Sequence, residues 1–101
     1  MLIKFKKPVK FEGEEYSEVD LDLDALTGND LEKAQEILTA ARKGGAGLPE
    51  FSKAYLSQVA ALAAKKPVEF FRALPCYEYV RVTLAVQNFL LDGVSETEPI
   101  Q

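Results

Sequence analysis

The first quarter of the chain alternates apolar and polar residues in the way that two β-strands joined by a tight turn do. Apolar side chains recur between lysines up to Phe11, and Glu12-Gly13 is a turn signal because glycine tolerates positive φ. Pro8 cannot donate to a β-ladder, so the first strand is an edge strand or a bulged one. From Val19 the alternation is strict. Its two faces hold Val19, Leu21 and Leu23 and, opposite them, Asp20, Asp22 and Asp24. The pattern predicts an antiparallel hairpin over residues 2–23.

The remainder of the chain carries apolar residues at helical spacing, interrupted by glycine and proline. Thr27 or Asn29 can cap the first helix, and Gly44-Gly45 ends it. Each later helix has a proline near its start, where the missing N–H costs nothing. The predicted helices cover about residues 29–43, 49–64, 67–74 and 75–92. A flexible linker is expected over 44–48.

Gly93 can cap the last helix, and residues 94–101 are expected to form a flexible tail. Residues 1–93 then make a single domain, as the length of 101 residues allows. The predicted fold class is α+β: an N-terminal antiparallel β-hairpin followed by a small bundle of three to four α-helices. An isolated hairpin is marginal in water, so it must lie on the helices or pair with another copy.

The last helix is apolar around most of its circumference between Val80 and Leu91. Such a helix is either the central core element or partly covered by a partner. The first interpretation is the default, and the two are compatible. We expect apolar surface left over on this helix to contribute to partner binding or self-association. The residues predicted to form it are Val82, Val86, Phe89 and Leu90.

The composition argues against catalysis and against metal binding. The chain has no histidine, which removes the usual general base and the commonest metal ligand. Its single cysteine, Cys76, is predicted to be a small core residue because no histidine can activate it. Glu69 and Glu78 bracket the third helix, but their spacing does not indicate a cleft. We therefore expect no enzyme activity, no catalytic residues and no cofactor.

Charge is unevenly distributed along a chain whose net charge is −4. Residues 1–10 carry four lysines and no acid, whereas residues 11–32 carry nine acids and no base. Lysines are typical of edge strands, where they prevent pairing with another chain. The acids that follow argue against nucleic-acid binding. Asp20, Asp22 and Asp24 invite a calcium-loop hypothesis, but Ala25 and Leu31 stand where that loop needs glycine and glutamate. No metal site is predicted.

The N-terminus lacks the apolar segment of a signal peptide, and no apolar run approaches the length of a membrane span. We therefore expect a protein that stays in the cytoplasm and does not bind membranes. Tyr77, Tyr79 and the pair Phe70-Phe71 lie near arginines. Such residues are enriched at protein–protein hot spots and are also ordinary core residues, with the core interpretation favoured for each.

Three segments, together with the basic hairpin, resemble a known family. They are Leu26–Leu31 (LTGNDL), Ser52–Leu56 (SKAYL) and Arg81–Leu90 (RVTLAVQNFL), and the opening Lys7–Tyr16 (KPVKFEGEEY) is equally characteristic. The chain, from about Phe5 to Leu91, is similar to the small tail assembly chaperones of contractile-tailed phages and related prophages. Neither the opening nor the closing segment is a catalytic motif.

The resemblance implies that the chain binds the tape measure protein, a long and largely helical protein that sets tail length. It would keep that client soluble in the bacterial cytoplasm until tail tube subunits polymerise around it, and would be absent from the mature virion. The tail tube protein and a second copy of the chain are further candidate partners. Two alternatives stay open: a small structural subunit of the virion, and an acidic DNA-binding or regulatory domain.

Overall fold

The N-terminal strands pair as an antiparallel hairpin in the computed structural model, which describes residues 1–41 and 52–96. Strand β1 is Leu2–Phe11 and strand β2 is Glu14–Asp20. Glu12 and Gly13 connect them, with φ of 52° and 84°, as the turns that match the twist of a hairpin require. Together with the helices that follow, this confirms the predicted α+β class.

The second strand ends three residues before the predicted limit of residue 23. The backbone N–H of Asp22 donates to the carbonyl of Ala63, 3.1 Å away, and Leu23–Ala25 form a 3-10 turn. The predicted alternation of burial nevertheless continues past the strand. Val19, Leu21 and Leu23 are buried, whereas Asp20, Asp22 and Asp24 are exposed.

Strand β1 is bulged, as its proline predicted. Lys4 pairs with Glu18 and Val9 pairs with Tyr16, so residues 5–8 of β1 stand opposite Ser17 alone. A bulge interrupts the ladder and leaves backbone groups without a strand partner. Their hydrogen bonds must therefore come from elsewhere in the fold.

Four α-helices follow the hairpin: α1 (Gly28–Ala41), α2 (Lys53–Ala64), α3 (Val68–Arg72) and α4 (Cys76–Glu96). The end of the predicted first helix, the linker over 44–48 and the first residues of the predicted second helix lie outside the described residues. Helix α4 passes through Gly93, because one glycine inside a helix costs only about 1 kcal/mol. The predicted tail therefore cannot begin at residue 94. Residues 97–101 are outside the described part.

The central element is α2, which corrects the default prediction for α4. Helix α2 is buried around its whole circumference and contacts α1, α3, α4, β2 and the 3-10 turn. Small side chains make this packing feasible because they let neighbouring elements approach closely: Ser57, Ala60, Ala61 and Ala63 are all buried. The Ser52 hydroxyl caps its start by accepting from the Tyr55 N–H at 3.1 Å. Helix α4 packs one face on this centre and leaves another exposed.

Phe70 of α3 anchors the hairpin to the helices. Its ring lies 5.1 Å from the rings of Tyr16 and Phe71, 5.5 Å from Phe11 and 6.4 Å from Phe5. Several of these contacts are edge-to-face, the arrangement that aromatic quadrupoles favour. The hairpin therefore has a fixed position on the helical layer, and this sets where β1 lies relative to α4.

A candidate protein-binding surface on the last helix

The structure does not expose the four residues from which a binding surface was predicted. Val82 and Val86 have no accessible surface, and Phe89 and Leu90 are half-buried against the core. Because they face α2, the first two cannot contact a partner while the fold is intact. The expectation of an exposed surface built on these valines is therefore corrected, whereas partner binding through α4 stays a prediction.

A different set of apolar side chains on α4 is exposed. Tyr77, Val80, Leu84 and Leu91 are each between 42% and 51% accessible. At 3.6 residues per turn they fall within an arc of about 60°. We call these four residues the α4 stripe. Sequence periodicity missed it because the opposite face of α4 is also apolar, and only packing shows which face is covered.

Strand β1 runs beside α4 in the opposite direction. The Lys6 Nζ lies 5.7 Å from the centre of the Tyr77 ring, and the Lys6 backbone N–H donates to Glu78. Further along, the start of β1 and the middle of α4 enclose an open groove of about 360 Å³. We call it the β1–α4 groove. Its lining residues are Met1, Leu2, Ile3, Lys4, Arg81, Leu84, Ala85 and Asn88.

Glu78 connects β1 and α4, the two elements that enclose the β1–α4 groove. Its side chain is 1% exposed, and one carboxylate oxygen accepts the Lys6 N–H of the bulge at 2.8 Å. The other oxygen accepts from Arg81 Nη1 at 2.6 Å. Sequence reasoning considered Glu78 only as a catalytic carboxylate. A usable signal existed, because Glu78, Val82 and Val86 recur every four residues and so share the buried face of α4.

The other candidate chemistry is dispersed. Glu69 is exposed, while Glu78 is occupied by the bulge and Arg81. Cys76 is exposed, contrary to the core prediction, because it is the first residue of α4, directly after Pro75. Within residues 1–41 and 52–96 no three metal-ligating side chains cluster. None of the helices described there has the length and hydropathy of a membrane span.

Tyr77 and the neighbouring aromatics divide between surface and core. Tyr77 is 46% exposed in the α4 stripe, whereas Phe70 and Phe71 are buried. Tyr79 is half-buried, and its hydroxyl donates to the Lys53 carbonyl at 3.3 Å. The core interpretation therefore fits the phenylalanines but not Tyr77.

A scan against protein-family models gave no match, and searches of curated proteins and of solved structures gave no significant match.

Proposed function

We propose that this protein is a phage tail assembly chaperone that binds the tape measure protein and keeps it soluble during tail assembly. The observation that carries the proposal is the concentration of exposed apolar residues along α4. Of the large hydrophobic side chains that are exposed among the described residues, only Ile37 lies away from α4 and the groove. The others are the α4 stripe together with Met1 and Leu2. The sequence resemblance supplies the identity of the client.

The character of this surface suits a transient interaction. A client with long amphipathic helices needs a partner that covers an apolar stripe until its permanent neighbours arrive. Stable interfaces bury about 800 Å² per partner over roughly 20–30 residues. The α4 stripe and the groove comprise about a dozen residues. A surface of that size supports binding that tail tube subunits can displace.

The test is co-expression with the tape measure protein of the same gene cluster, with and without this chain. The expected result is that the client becomes soluble and co-purifies with the chaperone. The control is co-expression with an unrelated small acidic protein. Failure to rescue the client, with this chain folded by circular dichroism, would contradict the proposal.

Mass spectrometry of purified virions separates the chaperone from a structural subunit. The chaperone is expected to be absent from finished particles. Its presence in fixed stoichiometry would support the virion-subunit alternative instead.

A further inference from the structure

We propose that the β1–α4 groove, with the α4 stripe beside it, binds a single amphipathic α-helix whose apolar stripe is flanked by acidic side chains. This inference rests on the proposed function and specifies the segment of the client that is recognised. It follows from the shape of the exposed apolar surface, from the charges that line the groove and from the size of the surface.

The shape of the surface matches a helix. Tyr77, Leu84 and Leu91 recur every seven residues, and Val80 follows the first of them by three. These are the a and d spacings of a seam that packs against another helix. From Tyr77 to Leu91 the seam extends about 21 Å at 1.5 Å per residue. Helices are therefore the partners that this surface fits.

The charges that line the groove are cationic. Lys4 and Arg81 line it, and Lys6 lies over Tyr77 at one end. Glu78 neutralises part of the Arg81 charge, but its carboxylate is turned inward, whereas the Arg81 side chain is 43% exposed. Three further acids lie nearby, and none of them lines the groove. Asp20 contacts the N-terminal ammonium at 3.4 Å, Glu18 is the cross-strand partner of Lys4, and Asp92 is exposed one turn beyond Asn88.

The charged side chains that line the groove, Lys4 and Arg81, therefore have the opposite sign to the net charge of −4. An acidic flank on the incoming helix would complement Lys4, Lys6 and Arg81, and a basic flank would be repelled. The same charges disfavour a second copy as the occupant. Two copies meeting at this surface would bring their cationic grooves together. The dozen or so residues are also fewer than a stable dimer engages on each side.

Two fluorescein-labelled 21-residue peptides test the inference on the full-length protein. Both carry leucine at the a and d positions, and they differ only at e and g, where one has glutamate and the other lysine. Like charges at e and g keep each peptide from pairing with itself. Fluorescence anisotropy should show the glutamate peptide binding at least about tenfold more tightly, with affinity that falls as salt is raised.

Two matched pairs of variants locate the binding. Leu84→Asp should weaken binding of the glutamate peptide at least about tenfold, since it places a charge in the seam. Ile37→Asp, on a similarly exposed apolar residue of α1, should not. Lys4→Gln should weaken binding, whereas Lys10→Gln should not. Both lysines are exposed on β1 opposite a glutamate, but only Lys4 lines the groove.

Equal binding of the two peptides, or binding that survives Leu84→Asp, overturns the inference. Sedimentation could instead show a dimer that Leu84→Asp dissociates, while neither peptide binds. That result also overturns the inference, because it assigns the surface to a second copy. If the tape measure protein is rescued but the glutamate peptide does not bind, the groove inference is refuted and the proposed function stands. Peptide binding without rescue of that client refutes the proposed function while the groove assignment stands.

Discussion

Glu78 shows how one buried side chain positions a surface. The bulge in β1 leaves the Lys6 N–H without a strand partner, and the Glu78 carboxylate accepts it at 2.8 Å. The same carboxylate holds Arg81 at the edge of the groove. A buried charge is tolerated only when it is paired and hydrogen-bonded, and both conditions are met here.

Glu78→Ala is therefore expected to destabilise the protein by about 1–3 kcal/mol, because it removes the part-buried hydrogen bonds to the Lys6 N–H and to Arg81. Glu78→Gln should cost less, since its amide oxygen can still accept that N–H. Urea denaturation followed by circular dichroism measures both. Glu36→Ala, at an exposed glutamate of α1, is the matched control. Equal stability of Glu78→Ala and the control would contradict the role given to Glu78.

Tyr16 provides a pH-dependent test of how the hairpin packs. Partial burial raises the pKa of the Tyr16 phenol, and the carboxylates of Glu14 and Glu12 raise it further. The unfolded chain then ionises Tyr16 at lower pH than the native protein does. Stability contributed by the neutral phenol is present below about pH 10 and is lost as pH rises through the raised pKa.

We expect the free energy of unfolding to fall more steeply above about pH 10 in the wild type than in Tyr16→Phe. Urea denaturation at a series of pH values measures the two slopes. Parallel slopes would mean that Tyr16 experiences the same surroundings in the folded and unfolded states.

The burial of a side chain could be predicted where one regular pattern, such as the alternation along a strand, determines it. The strict alternation placed Val19, Leu21 and Leu23 on one face, and the structure buries all three. The prediction that Cys76 is a core residue was wrong, because its residue type favours burial while its position at a helix start does not. Local position outweighed the preference of the residue type.

Helix α2 is the element on which the others pack. Its buried alanines give it a narrow profile, so the helices and the hairpin can approach it from several directions. Helix α4 has larger side chains and was the stronger sequence candidate for the centre. Bulk hydrophobicity did not identify the central helix, because close packing selects for small residues as well as apolar ones.

Ala60→Leu tests this arrangement. Ala60 has no accessible surface, so three added carbons should overpack the centre and destabilise the protein by about 1–3 kcal/mol. Ala40→Leu, at an exposed position of α1, should change stability by no more than about 0.5 kcal/mol. Thermal denaturation of the two variants compares them. A tolerated Ala60→Leu would indicate that α2 is not closely packed.

At the scale of the whole molecule, the order and type of the elements were predictable from the sequence. The hairpin, its turn at Glu12-Gly13 and the bulge near Pro8 all follow from local residue chemistry. Which side of α4 packs on the core was not predictable. Both of its sides are apolar, and only the position of α2 decides which one is covered. The candidate surface therefore had to come from the structure, although its location on the last helix had been anticipated.

In the proposed function, the α4 stripe holds the tape measure protein in solution. The most direct measurement is the soluble, co-purifying fraction of that client when it is co-expressed with wild type, Leu84→Asp or Ile37→Asp. Leu84 is 51% exposed, so its variant should stay folded, with a loss of about 1 kcal/mol from helix propensity and apolar contact. We predict that Leu84→Asp loses the client while wild type and Ile37→Asp retain it. Retention of the client by a folded Leu84→Asp variant would show that the α4 stripe does not bind the tape measure protein.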